Sequence, residues 1–204
     1  MKSVAGQLWR DNGDLAAVAL GHPFVRALAD GTLPRQRYAA YIAQDAVFLE
    51  SFARAYALAL AGSPDRAGVE AFADLIAGVR EELRLHESVA ARWGIDMSAV
   101  QPAPATLAYT EFLLATASVG GTAATCAAMT PCMRLYAHLG RSLAAGPAAD
   151  TYQEWISAYA DPGFEALARS LEDLLDRYAP NVNAVAPAYR RAMSLEVAFF
   201  DAAY

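Results

Sequence analysis

The feature that most constrains this 204-residue chain is its period. Apolar residues return every three or four positions through long stretches rich in alanine, leucine, glutamate and arginine, and no segment sustains period-two alternation. Such faces can be buried only by packing helix on helix, so an all-α fold is expected. With 56% hydrophobic and 19% charged residues, the chain has the size and apolar content of one compact domain, 1–204. No internal repeat, low-complexity linker or domain boundary interrupts it.

Local punctuation places the helices. Thr32-Leu33-Pro34 combines a capping residue with a proline suited to a first turn, and predicts a helix running to Gly62. Ser63-Pro64 predicts the next start, with Gly94 as a stop after Trp93. A shorter helix carries Tyr109, Phe112 and Leu113 and ends at Gly120-Gly121. Another spans Thr122 to about Ala145 with Pro131 inside it, where the missing N–H bends the helix. Asp150 and Asp161-Pro162 are further starts, and a last helix runs from about Val185 to Tyr204. A compact bundle is the expected architecture.

The formal net charge is −6, and basic residues cluster no further than pairs such as Arg190-Arg191, which argues against a nucleic-acid partner. The first residues lack the continuous apolar core of a signal peptide, and no stretch is convincingly long and apolar enough to span a bilayer. A cytoplasmic location without membrane partners is therefore expected. Cys126 and Cys132, six positions apart in one helical region, point away from each other and read as reduced thiols.

Ionisable residues on apolar stripes are the informative exceptions, because a buried charge is costly unless paired or neutralised. Asp45 interrupts the stripe Tyr38, Tyr41, Ile42, Phe48, Leu49, Phe52 and Tyr56. Glu196 interrupts Tyr189, Met193, Phe199, Phe200 and Ala203 in the same way. Two such carboxylates suggest a polar pocket, and the alternative is a structural carboxylate satisfied by a tyrosine or an arginine. Cys132 follows the helix-bending Pro131, where a bend beside a pocket would expose its thiol; the alternative is an inert small apolar side chain, the reading kept for Cys126. Glu82 and His86 share a helix face at the spacing of helical metal sites, yet the other histidines, His22 and His138, lie in unsuitable contexts. That pair reads as a structural hydrogen bond or as solvated, and no metal or cofactor is expected.

These residues also carry a resemblance. Gly21-His22-Pro23-Phe24-Val25, Gly31-Thr32-Leu33-Pro34 and Tyr41-Ile42-Ala43-Gln44-Asp45 with Phe48-Leu49 resemble the N-terminal signature of the TenA family. Ala108-Tyr109-Thr110, Thr130-Pro131-Cys132 with Leu135-Tyr136, Trp155-Ile156 with Tyr159 and Phe164, and Glu196 with Phe199-Phe200-Asp201-Ala202-Ala203-Tyr204 resemble its later motifs, in order, from about Leu8 to Tyr204. The resemblance implies a haem-oxygenase-like helical fold, a homotetramer, and no haem or metal. It implies thiaminase II activity: hydrolysis of 4-amino-5-aminomethyl-2-methylpyrimidine, and more slowly thiamin, to the hydroxymethyl pyrimidine of thiamin salvage.

By position, the resemblance assigns Cys132 as nucleophile in the cysteine-containing branch, Glu196 as acid/base and Asp45 as the pyrimidine-binding carboxylate. Tyr109 and Tyr159 would orient ring and catalyst, and Phe199 would pack on the ring. Phe48 departs from the family, where a tyrosine is usual, and removes one hydroxyl from the expected pocket. The chemistry needs a soft nucleophile that adds to an electron-poor ring, and a base or environment that produces the thiolate. A binding or regulatory protein without turnover, and a metal-dependent oxidase on the same fold, are the alternatives.

Overall fold

Ten α-helices and one 3-10 turn, with no strand among the described residues, build the chain. The structure is a computed structural model and describes residues 3–97, 100–147 and 149–204. The helices are α1 (Val4–Asp11), α2 (Gly13–Leu20), α3 (Pro23–Ala29), α4 (Arg35–Ala61) and α5 (Arg66–Trp93), followed by α6 (Pro104–Val119) and α7 (Gly121–Ala144). A 3-10 turn at Asp150–Tyr152 leads into α8 (Gln153–Ala160), α9 (Pro162–Tyr178) and α10 (Val182–Ala203).

Helix α7 is the axis of the fold. Every residue from Thr125 to Ala137 is buried, the pattern of a helix surrounded by others. It packs against α4, α6, α8, α9 and α10, while α5 lies on α4 and α9. Its polar groups are satisfied internally: the Thr130 hydroxyl donates to the Cys126 carbonyl at 2.7 Å. Arg134 donates to both oxygens of Glu172, at 2.7 and 2.6 Å, and to Glu165 at 2.9 Å, which ties α7 to α9. The helix runs through Pro131 without interruption.

Gly140 sets the approach of α8. A Cβ there would lie 2.4 Å from the Tyr159 carbonyl carbon and 2.6 Å from the Ala160 nitrogen, backbone atoms that cannot swing aside. Only glycine lets the end of α8 rest on α7, and this contact brings the Tyr159 ring to 4.7 Å from that of Tyr136.

Three helix starts differ from the sequence expectation because the effective cap lies elsewhere. Helix α4 begins at Arg35 with Pro34 as its cap, and the Thr32 amide bonds instead to the Ala27 carbonyl of the preceding turn. Asp65, not Ser63, caps α5, accepting from the Gly68 amide at 2.9 Å. Asn181 caps α10 through the Ala184 amide, so that helix opens at Val182, ahead of the expected Val185. Ahead of α4, where the periodicity gives no helix, lie α1 to α3. Each has only seven or eight residues, too few to show a repeat before glycine or proline resets the chain. Among the described residues no helix is long and apolar enough to cross a membrane.

Candidate active site

Six helices send ionisable or aromatic side chains to one buried region around the middle of α7. Cys132 keeps 9% of its surface, Asp45 4% and Glu196 2%. Tyr109 on α6 donates its hydroxyl to Glu196 Oε1 on α10 at 2.7 Å, and the buried Cys132 thiol lies within electrostatic range of the same carboxyl group. The sequence alternative of a carboxylate satisfied by a tyrosine thus describes part of the Glu196 environment, but the thiol acts on it as well. Cys126, six residues earlier, is fully buried and makes no disulfide.

Asp45 on α4 is met by a residue that neither sequence alternative named. His86 Nε2 on α5 lies 2.7 Å from Asp45 Oδ2, and His86 Nδ1 lies 2.9 Å from the Glu82 backbone carbonyl. A carbonyl only accepts, so Nδ1 carries a proton. Burial alone would lower the pKa of His86, but the hydrogen bond and charge of Asp45, with the charge of Glu82, raise it. With Nδ1 protonated, the 2.7 Å contact of Nε2 with Asp45 Oδ2 is bridged by a second proton held between the ring and the carboxyl group. The Glu82 side chain turns to α8 and accepts from the Tyr159 hydroxyl at 2.5 Å. Glu82 and His86 therefore serve different partners, and among the described residues no three metal-ligating side chains converge. The reading of this pair as solvated is corrected, since both residues reach into the site.

Aromatic rings close the region. Phe199 meets Tyr41 edge-on at 5.9 Å and lies 6.0 Å from Phe48, whose ring is 4.8 Å from that of Tyr109. Phe48 thus fills the space between Tyr109 and Phe199. Tyr41 and Tyr136 share a hydrogen bond at 3.2 Å, and the Trp155 indole donates to the Tyr41 hydroxyl at 3.2 Å. The Tyr56 hydroxyl is buried without a hydrogen-bond partner among the described residues, within electrostatic range of Cys132.

The electrostatics of this cluster are those of crowded negative charge in a low dielectric. Burial, joined by the charge of Asp45, pushes Glu196 up to about 8 against the hydrogen bond from Tyr109 and the effect of the Cys132 thiol. Burial and Asp45 push Glu82 up to about 7. Burial, then the charges of Glu196, Glu82 and Asp45, hold the Cys132 thiol well above its usual range. Of the two routes to a thiolate, a lowered pKa is closed, and transfer of the proton to a neighbouring base remains. Three acidic groups, Asp45, Glu82 and Glu196, share this region with one histidine, His86, a balance that suits a cationic ligand.

The comparisons with known proteins place this arrangement in a family. The chain belongs to the TENA/THI-4/PQQC family, whose model matches residues 12–204. It is 36% identical over 229 residues to the bifunctional TH2 protein, mitochondrial, of Arabidopsis thaliana; the match covers 98% of this chain and 37% of that longer protein. It is 32% identical over 214 residues to an aminopyrimidine aminohydrolase of Halalkalibacterium halodurans, covering 99% of this chain and 96% of the relative. A solved TenA family transcription regulator from Silicibacter sp. TM1040 superposes with a TM-score of 0.92 at 27% identity, over 98% of this chain and 96% of that one.

Proposed function

We propose that residues 1–204 act as one TenA-type domain, an aminopyrimidine aminohydrolase of the thiaminase II kind working in thiamin salvage inside the cytoplasm. The observation that carries this reading is a thiol, Cys132, buried in one region with two carboxyl groups, Asp45 and Glu196, the second of them held by the Tyr109 hydroxyl. Near-full-length similarity to a protein named aminopyrimidine aminohydrolase supports it. A regulatory role, suggested by the name of one structural neighbour, fits poorly with a net charge of −6 for direct DNA contact.

In this mechanism Cys132 Sγ adds to the pyrimidine ring as its proton passes to Glu196. The added electron pair is drawn toward a ring nitrogen, and Asp45, held by His86, faces the exocyclic amino group or that nitrogen as charge builds. Expulsion of the leaving group breaks the C–N bond at the methylene: the ammonium departs as ammonia, or the thiazolium as neutral thiazole, with the bonding electron pair, while Glu196 keeps the thiol proton. Water then adds to the methylene and loses a proton to the released ammonia or to solvent, and the sulfur departs to restore the ring, taking its proton back from Glu196. Tyr109 orients Glu196, Tyr159 fixes Glu82, and Phe199 packs against the ring. The role of nucleophile places the chain in the cysteine-containing branch. Hydrolysis of the aminomethyl pyrimidine by purified protein, compared with Cys132→Ser, tests the proposal.

A further inference from the structure

The residues assigned to the pyrimidine are buried, so a ligand needs a way in. A small recess touching Tyr41, Gln44 and Phe199 has a volume of only about 40 Å³, too little for a ring. A groove of about 660 Å³ between α5 and the α8–α9 corner is different, falling within the range of about 300–1,000 Å³ usual for small-molecule sites. Its inner end is Glu82 and Tyr159, and its floor is Met133, the residue after Cys132 on α7. Leu75, Val79, Phe164 and Leu167 make its walls apolar.

Charge at the groove is just as specific. Glu81 and Glu154 at its rim are already paired with Arg84 and Arg92, and Asp161 is engaged as the cap of α9. Glu82 forms no salt bridge among the described residues: it accepts from the Tyr159 hydroxyl, and the nearby His86 is already bonded to Asp45. An apolar trough that ends on such a carboxyl group selects an amphipathic cation.

We propose that this groove is the entrance to the site and the seat of the departing half of the substrate, with its positive charge against Glu82. The inference rests on the function proposed above, and extends it to substrate selection. Both leaving groups fit the chemistry, since one is an alkylammonium and the other a thiazolium. The compact ammonium can approach Glu82 more closely than a charge spread over a substituted ring, whereas the apolar walls serve the ring alone. Glu82, pushed up to about 7, ionises more readily once a cation arrives.

The test uses calorimetry on the full chain carrying Cys132→Ser, which prevents turnover, with two probes. Thiamin carries the cationic half, and the hydroxymethyl pyrimidine lacks it. Glu82→Gln and Ala158→Phe are each expected to weaken thiamin binding about tenfold or more while changing hydroxymethyl pyrimidine binding less than about twofold. Leu167→Phe repeats the steric test from the opposite wall, and melting curves identify any variant that has not folded. Equal weakening of both probes, or no weakening of thiamin, overturns the groove assignment while leaving the aminopyrimidine reading intact. Failure of the folded Cys132→Ser parent to bind either probe overturns that reading, and the groove assignment with it.

Discussion

His86 Nε2 lies 2.7 Å from Asp45 Oδ2 while the opposite ring nitrogen is committed to the Glu82 carbonyl, so the histidine can neither rotate nor shed its Nδ1 proton without losing a bond. Asp45 is thereby held through one carboxyl oxygen, Oδ2. His86→Gln removes the titratable ring and misplaces the donor. The expected result is a rise in KM for the aminomethyl pyrimidine of about tenfold with a smaller change in kcat, and a loss of stability of about 3 kcal/mol, since a buried carboxylate loses its partner. Nitrogen chemical shifts of His86 should show both ring nitrogens protonated at neutral pH. A neutral imidazole, or an unchanged KM, would contradict this arrangement.

Glu196 gives the account a pH dependence. The ionised form is needed to take the thiol proton, and burial pushes its pKa up to about 8, so kcat/KM should rise with pH through that region. Glu196→Gln should remove this limb along with most of the activity. The stability effect has the opposite sign. The folded pKa lies above the ordinary carboxyl value of 4.5, so folding is favoured fully below 4.5 and the contribution is lost as pH rises to about 8. Relative to wild type, Glu196→Gln should therefore melt higher at pH 8 than at pH 5, by a difference equivalent to a few kcal/mol. Melting curves showing the same offset at both pH values would count against a buried, proton-retaining Glu196.

The inward stripes made Asp45 and Glu196 visible in the sequence, because a charge among regularly spaced aromatics is a local anomaly. The same rule applied to α5 points to Glu82 and His86: Phe72, Leu75, Val79, His86 and Val89 are buried at helical spacing, and Glu82 falls within that series. Their i, i+4 spacing, which reads as a metal pair, a structural hydrogen bond or a solvated pair, masked this. Partners were less legible. The period of α4 says that Asp45 faces inward, but nothing in it says that a residue 41 positions away will meet it. The long helices could be read from their repeats, whereas α1 to α3 could not, since each ends within about two turns. The close contact of Gly140 with α8 is likewise a three-dimensional requirement with no local signature.

Substrate preference and Phe48 form a linked prediction. The pyrimidine slot grips what thiamin and the aminomethyl pyrimidine share, so discrimination comes from the leaving half, and the amine is expected to have the higher kcat/KM. Phe48 contributes packing alone, between Tyr109 and Phe199. Phe48→Tyr should leave activity unchanged or raise it, by supplying a hydroxyl near the nucleophile or the attacking water. Side-by-side kinetics favouring thiamin, or a severe loss on introducing tyrosine, would show that the slot or the role of this position is misassigned.

Assembly can be tested separately. A homotetramer is expected from the family resemblance, and exposed apolar side chains such as Val18, Leu58, Leu107 and Val119 supply surface for it. Light scattering at micromolar concentration should give four times the chain mass. A monomer mass would refute the expected tetramer.

The most direct measurement follows hydroxymethyl pyrimidine and ammonia released from the aminomethyl pyrimidine by wild type, Cys132→Ser and Cys126→Ser. Wild type should form the two products in equal amounts, and Cys126→Ser should remain active because that thiol is fully buried and, unlike Cys132, does not feel the charges of Glu196, Glu82 and Asp45. Cys132→Ser, folded as judged by its melting curve, should lose activity by about a thousandfold or more, as expected when a nucleophile is removed. Absence of turnover by folded wild type, or near-wild-type turnover by Cys132→Ser, would contradict the account at its centre.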